Sequence, residues 1–159
     1  MPEKSRSAPA IHLPPPLILL TGFLAGVGID SAFPIPVHAS HPGGLWSIMR
    51  WTLIGLGSAF SFWGFITFVR ARTGVLPNQA VTEVVTHGPY YFSRNPMYAG
   101  LSIAYIGFTV WLNSLWPLVM LPLSLWVLWK AVIQREEIYL ATAFGEEYES
   151  YRKQVRRWL

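Results

Sequence analysis

Three stretches without a charged side chain dominate the chain: residues 7–29, 51–69 and 95–129 contain no Asp, Glu, Lys or Arg. A helix needs about 20 apolar residues to cross a bilayer core. The first two stretches each match one crossing. The third is too long for one, and "WLNSLWP" interrupts it at Asn113, Ser114 and Pro117. It reads as a helical hairpin, 97–112 and 115–133, joined by a tight turn. Four transmembrane helices are therefore expected, at 14–33, 46–69, 97–112 and 115–133. The first is entered through Pro14, Pro15 and Pro16, which a first turn tolerates because the missing N–H would be unpaired there anyway. A cleaved signal peptide is the competing reading of this run, since Lys4 and Arg6 precede it. The triple proline and the small residues Gly22 and Gly26, four apart, suit a retained packing helix better.

Beyond residue 133 the pattern changes to "QREEIYLATAFGEEYESYRKQVRRWL". Ile138, Ala141, Phe144, Tyr148, Tyr151, Val155 and Trp158 recur at spacings of three and four, which puts them on one helical face. Arg152, Lys153, Arg156 and Arg157 occupy the remainder near the end. The pattern predicts an amphipathic helix over 134–158, bent at Gly145, lying in the membrane interface against anionic headgroups. Residues 1–12 form a polar tail. No repeat or internal boundary divides the chain, so residues 1–159 are expected to form one all-α domain, a polytopic membrane helical bundle with a C-terminal amphipathic helix.

Composition agrees with that picture. Hydrophobic residues make up 52% of the 159 positions and charged residues only 13%, against roughly a quarter charged in soluble domains. Cysteine is absent, which excludes disulfides, thiolate metal sites and a cysteine nucleophile. His12, His38 and His41 lack the carboxylates that would complete a metal site, so no metal is expected. Most of the aromatic residues and arginines lie in or beside lipid-length runs rather than on a nucleic-acid-binding face. No P-loop, dinucleotide-binding glycine motif or nucleophile elbow is present.

The net charge of +4 matters less than its placement. With the N-terminus inside, Lys4, Arg6, Arg70, Arg72, Arg94, Lys130, Arg135, Arg152, Lys153, Arg156 and Arg157 all fall on the cytoplasmic side, and only Arg50 falls outside. Both termini are thus expected in the cytoplasm. Two polar clusters share that face: Arg94, Asn95, Pro96 and Tyr98 at the start of the third crossing, and Glu136-Glu137 at the end of the fourth. A hairpin returns both to the same interface. Adjacent helical residues point about 100° apart, so one glutamate can face the groove while the other faces water. Taken singly, Arg94 reads as an interfacial anchor, Tyr98 as a belt aromatic and the glutamates as a solvated helix end. Together they mark a candidate site, because charge at a membrane boundary is costly unless paired.

The segment "GPYYFSRNPMYAGL", then an uncharged hairpin, then "REEIYLATAFGEEYESYRKQVRRW" resembles the isoprenylcysteine carboxyl methyltransferase family and its phospholipid N-methyltransferase relatives. The matching residues are Gly88-Pro89-Tyr90, Arg94-Asn95-Pro96-Met97-Tyr98-Ala99-Gly100, Glu136-Glu137, Leu140, Phe144-Gly145, Tyr148 and Tyr151, and the resemblance spans residues 82–157. It implies an integral-membrane enzyme that uses S-adenosylmethionine and releases S-adenosylhomocysteine at the cytosolic interface. It also implies that Thr82, Glu83, Val84 and Val85 wrap the cofactor, while Tyr90, Asn95, Pro96, Met97, Tyr98 and Glu136 line its pocket. Two positions depart from the pattern. Asn95 stands where histidine is usual, which removes a proton shuttle but keeps hydrogen bonding. Val132 stands where carboxyl-methylating relatives carry an arginine, which argues against a prenylcysteine carboxylate as substrate.

The residue types suit this chemistry. Arginine grips a carboxylate through its planar fork, glutamate accepts from hydroxyls or an ammonium, and aromatic rings can pack on adenine or approach a sulfonium. Arg94 and Glu137 are the candidate catalytic residues. The acceptor is expected to be a lipid or a lipophilic small molecule, entering sideways from the bilayer. Two other functions fit less of the sequence: an NADPH-dependent membrane reductase of similar bundle, for which no phosphate cradle is present, and a non-catalytic membrane scaffold. Pairing through Gly22 and Gly26 permits an oligomer without indicating one.

Overall fold

The computed structural model describes residues 14–38, 43–71 and 83–159. The polar tail 1–12, with Lys4, Arg6 and His12, and also His41, Arg72 and Thr82, lie outside the described residues. Every regular element among the described residues is helical. The order is α1 (Pro15–Ala32), α2 (Gly44–Arg70), a 3-10 turn (Gly88–Tyr91), α3 (Pro96–Leu112), α4 (Leu115–Leu128), a π-helical turn (Trp129–Ile133), α5 (Gln134–Phe144) and α6 (Glu146–Gln154).

Among the described residues, three helices are long and apolar enough to cross a membrane: Pro15–Ala32, Gly44–Arg70 and the continuous rod Leu115–Phe144. The apolar helix Pro96–Leu112 is shorter, at 17 residues, or about 25 Å along its axis. Leu45, Leu56, Phe62 and Trp126 stand more than half exposed on the outside of the bundle. A water-soluble surface rarely carries so many large apolar side chains this exposed.

The bundle is built from two close pairs, α1 against α4 and α2 against α3. Small residues allow both contacts. A Cβ at Gly26 would collide with the backbone of Pro117, and one at Gly57 with the backbone of Ala104 and Gly100. The small-residue face of α1 is thus occupied by α4 of the same chain, with Gly22 lying over Ser124. Leu19, Tyr105 and Leu121 then tie α1, α3 and α4 into one apolar cluster, and the Tyr105 hydroxyl donates to the Pro117 carbonyl at 2.7 Å.

Asn113 closes the α3–α4 turn in the left-handed region, φ 54°, a conformation that asparagine tolerates better than most residues. Its side chain clips the α1–α2 connection by exchanging two hydrogen bonds with the backbone of His38, at 2.9 and 3.2 Å. With that end fixed, the start of α3 and the far end of the α4 rod meet at the opposite pole. There Tyr98, Leu128, Val132 and Ile133 form a second apolar cluster, with Trp129 and Trp158 packed against it.

Candidate functional site

The start of α3 is held by a rigid corner. Gly88 adopts φ +63° and passes close to the Thr67 side chain of α2, so the 3-10 turn lies against the end of that helix. Tyr90 is buried from this turn, its ring 5.9 Å from that of Phe68. Ser93 is fully buried, and its hydroxyl accepts the Asn95 N–H at 3.1 Å. Pro96, also fully buried, begins α3, where proline costs no hydrogen bond.

The end of the α4 rod brings two carboxylates to that corner. Tyr98 donates from its hydroxyl to Glu136 Oε1 at 3.2 Å. Arg94 Nη1 lies 3.0 Å from Glu137 Oε1, with both side chains largely covered at 9% and 13% exposure. The two polar clusters read from the sequence therefore do converge. Neither glutamate is left facing water alone. The π-helical turn Trp129–Ile133 precedes the pair. Such a turn shifts the register of everything after it, and both carboxylates engage α3 or the corner before it.

Several partners were not expected. Arg157 donates to Glu137 from Nε and from Nη2, each at 2.8 Å, so Glu137 answers two guanidinium groups. Arg94 Nη1 also donates to the Tyr148 hydroxyl at 3.3 Å, and the Tyr151 hydroxyl donates to the Tyr90 carbonyl at 2.7 Å. Tyr148 and Tyr151 are buried while Ile138 is 65% exposed. The C-terminal helix breaks at Gly145, φ 53°, and α6 turns its tyrosines onto the chain's own corner. The sequence pattern placed Ile138, Tyr148 and Tyr151 together on the apolar face of one helix lying in the membrane interface. The regularity of Tyr148-x-x-Tyr151 after Glu137 was the available signal for an inward role; Arg157 had none, since it sits among three other basic residues.

The expected cofactor residues are distributed unevenly. Tyr90, Pro96 and Tyr98 are buried at the corner, Met97 packs near Gly64 and Val85 is buried, while Glu83 is exposed. The Asn95 amide donates from Nδ2 to the Arg157 carbonyl at 3.1 Å. Val132 is fully buried in the cluster around Tyr98.

Electrostatics leaves open donors here. Burial first, then Tyr151 and Glu136, push the Tyr90 phenol far above its ordinary range, so it remains a neutral hydroxyl. Burial does the same to Tyr151, against the opposing pull of Arg94. The hydrogen bond to Glu137 raises Arg157 further still. Tyr90 Oη, Arg94 Nε and Trp129 Nε1 are buried without a hydrogen-bond partner among the described residues. An unpaired buried donor costs about 1–3 kcal/mol, and three of them at one pole suit a ligand rich in acceptors.

Comparison with known proteins gives an independent line. The family model described as phospholipid methyltransferase matches residues 46–147. A protein-S-isoprenylcysteine O-methyltransferase of Schizosaccharomyces pombe is 38% identical over 72 residues, covering 45% of this chain and 30% of that protein. A probable protein-S-isoprenylcysteine O-methyltransferase of Oryza sativa subsp. indica is 36% identical over 77 residues, 48% of this chain and 40% of its own length. An uncharacterized protein of Haemophilus influenzae is 36% identical over 63 residues, 40% of this chain and all of its own. The chain thus spans less than half the length of the two named relatives. No solved structure matches it.

Proposed function

The chain belongs to the phospholipid methyltransferase family, and from that premise we propose that it is an integral-membrane enzyme moving a methyl group from S-adenosylmethionine to a lipophilic acceptor at the cytosolic interface. The observation that carries the reading is the convergence of Arg94 with Glu137, at 3.0 Å, and of Tyr98 with Glu136, at 3.2 Å, at one pole of lipid-length helices.

In this reading Pro96–Leu112 crosses the membrane as a fourth span, somewhat shorter than its neighbours. Arg70, Arg94, Lys130, Arg135 and the basic residues after Arg152 gather at its entry end, and the positive-inside tendency puts that end in the cytoplasm. The residues present fit S-adenosylmethionine: the unpaired Tyr90 hydroxyl and Arg94 Nε are donors for carboxylate or ribose oxygens, and Glu136 is an acceptor for hydroxyl or ammonium protons. When bound, the cofactor supplies a methyl group carried on a sulfonium. The protein's part is to hold and to dry. Glu137 fixes Arg94, Tyr98 orients the Glu136 carboxylate, and the fully buried Leu128, Val132 and Ile133 keep water from the inner side. Alignment of donor and acceptor by such a rigid shell is worth about 7–11 kcal/mol of barrier.

The acceptor reaches the pole from the bilayer. The named relatives are isoprenylcysteine O-methyltransferases. Buried Val132, where a carboxylate-binding arginine is expected, favours a different lipophilic acceptor here. The test is titration of the purified chain with S-adenosylhomocysteine, followed by incubation with labelled S-adenosylmethionine and a membrane lipid extract. Binding by the wild type that disappears in a still-helical Glu136→Gln variant, with label recovered in a lipid fraction, is the expected result. A helical wild type with no affinity for the product would sink it and favour the scaffold.

A further inference from the structure

The last residues of the described chain do more than end a helix. After Gln154 the backbone leaves α6 at Val155, which is extended at φ −117° and ψ 133°. It then doubles back along the corner that starts α3. The Arg156 carbonyl accepts the Arg94 N–H at 2.9 Å. The Arg157 carbonyl accepts from both Asn95 Nδ2 at 3.1 Å and Ser93 Oγ at 3.3 Å. The side chain of Arg157 crosses to Glu137 with two bonds of 2.8 Å, and its guanidinium lies 5.9 Å from the Trp129 ring. Trp158 packs against the cluster that holds Tyr98.

One short segment thus touches every fixed part of the pole: the corner by its carbonyls, the α5 carboxylate by its guanidinium and the core by its indole. A forked guanidinium bound through two nitrogens to two carboxylate oxygens sets orientation as well as distance. Glu137 shares one of those oxygens with Arg94. The direction of Arg94 therefore depends on where Arg157 holds Glu137. Residues 155–158 lie beyond the stretch matched by the family model, which ends at 147.

We propose that Arg157, with the doubled-back residues 155–158, is a positioning element that locks Glu137, Arg94 and Asn95 into the geometry that receives the methyl donor. The proposal rests on the donor-pocket reading above, and two separate readouts keep the fates of the two ideas apart. The first is hydrogen exchange at the Arg94 amide in the full chain, which reports the docked tail with no ligand present. It is expected to be protected in the wild type and to exchange at least about tenfold faster in Arg157→Ala. The second is S-adenosylhomocysteine affinity in wild type, Arg157→Ala, Arg157→Lys, Glu137→Gln and the Arg157→Ala/Glu137→Gln double variant, each checked for unchanged helical circular dichroism.

Arg157→Ala is expected to weaken binding at least about tenfold, or about 1.4 kcal/mol. Arg157→Lys should recover part of that loss. The double variant should be no weaker than Glu137→Gln alone, because both changes break one linkage; a residue that served stability only would show no such coupling. An unprotected Arg94 amide in the wild type overturns the proposal. So does an Arg157→Ala protein that binds within about twofold of wild type, or additive losses in the double variant. Protection of the amide together with no ligand affinity in the wild type removes the donor pocket instead, and upholds the docked tail.

Discussion

Replacing Glu137 by Gln keeps the shape of the side chain and removes the one anion that Arg94 and Arg157 share. With about 4 Å between charge centres and an effective dielectric of about 20, each guanidinium–carboxylate attraction is worth about 4 kcal/mol. Arg94 is only 9% exposed and contributes most of that; Arg157, at 33%, is screened and counts for about 1 kcal/mol or less. Relief of the carboxylate's own desolvation offsets part of the sum, while the two cations left on one oxygen site repel each other. Removing one partner of a covered pair usually costs about 3–5 kcal/mol, and a loss of about 3 kcal/mol is expected here. The assay is equilibrium unfolding of the full chain in mixed micelles, with Arg94→Gln and the Arg94→Gln/Glu137→Gln double variant completing a cycle. Coupling of about 1–3 kcal/mol between the two sites should appear. A Glu137→Gln protein within about 0.5 kcal/mol of wild type, or strictly additive losses, would refute the idea that this cluster organises the pole.

Two further outcomes separate packing from function. Gly57→Ala should cost about 1–3 kcal/mol, because its new Cβ meets the backbone of Ala104, whereas Gly55→Ala, with nothing within 4 Å, should be neutral or gain a few tenths of a kcal/mol, up to about 1, from helix propensity. Thermal unfolding in detergent compares them, and equal midpoints would contradict the α2–α3 contact. Tyr90→Phe removes a buried hydroxyl that bonds to nothing among the described residues. Stability without ligand should hold or rise, and S-adenosylhomocysteine affinity should fall about tenfold, about 1.4 kcal/mol; unchanged affinity would place that hydroxyl outside the pocket.

The apolar helices were legible because their signal is local. An uncharged run of lipid length needs no knowledge of its neighbours, and Asn113 and Pro117 announce the hairpin from within it. The small residues of α1 were also readable as a packing face, although only the fold shows that Ser124 and Pro117 of the same chain cover it. In α2, Gly57 lies against the α3 backbone, whereas a Cβ at Gly55, two residues before it, would meet nothing within 4 Å. The glutamate pair could be brought near Arg94 by hairpin topology alone. The second guanidinium could not. Arg157 reaches Glu137 across 20 positions, through a chain reversal at Val155 that no periodicity encodes, and its basic neighbours look identical in sequence. Asn95 carries a contact that its place in the motif did not announce: its amide holds the tail. The π-helical turn was invisible too, since Trp129–Ile133 has an ordinary helical composition.

The proposed location of the site follows from the cost of polar groups in hydrocarbon. A carboxylate held by two guanidinium groups cannot sit at mid-bilayer without severe desolvation, and in bulk water the same cluster would be screened into weakness. The boundary is where such a cluster can be both assembled from outside and partly dried from inside. In the proposed reading the drying comes from Val132 and Ile133, fully buried one helical turn from the glutamates, and from Leu128 about two turns away, and the assembly comes from a corner and a tail that lie beyond the apolar runs. A scaffold would gain from the salt bridges but not from a buried Tyr90 hydroxyl and Arg94 Nε left without partners. Those open donors only weaken an empty fold. They gain a purpose if the pole closes on a molecule that carries acceptors, which is why loss of affinity without loss of stability in Tyr90→Phe distinguishes an enzyme from a bundle that has merely kept its shape.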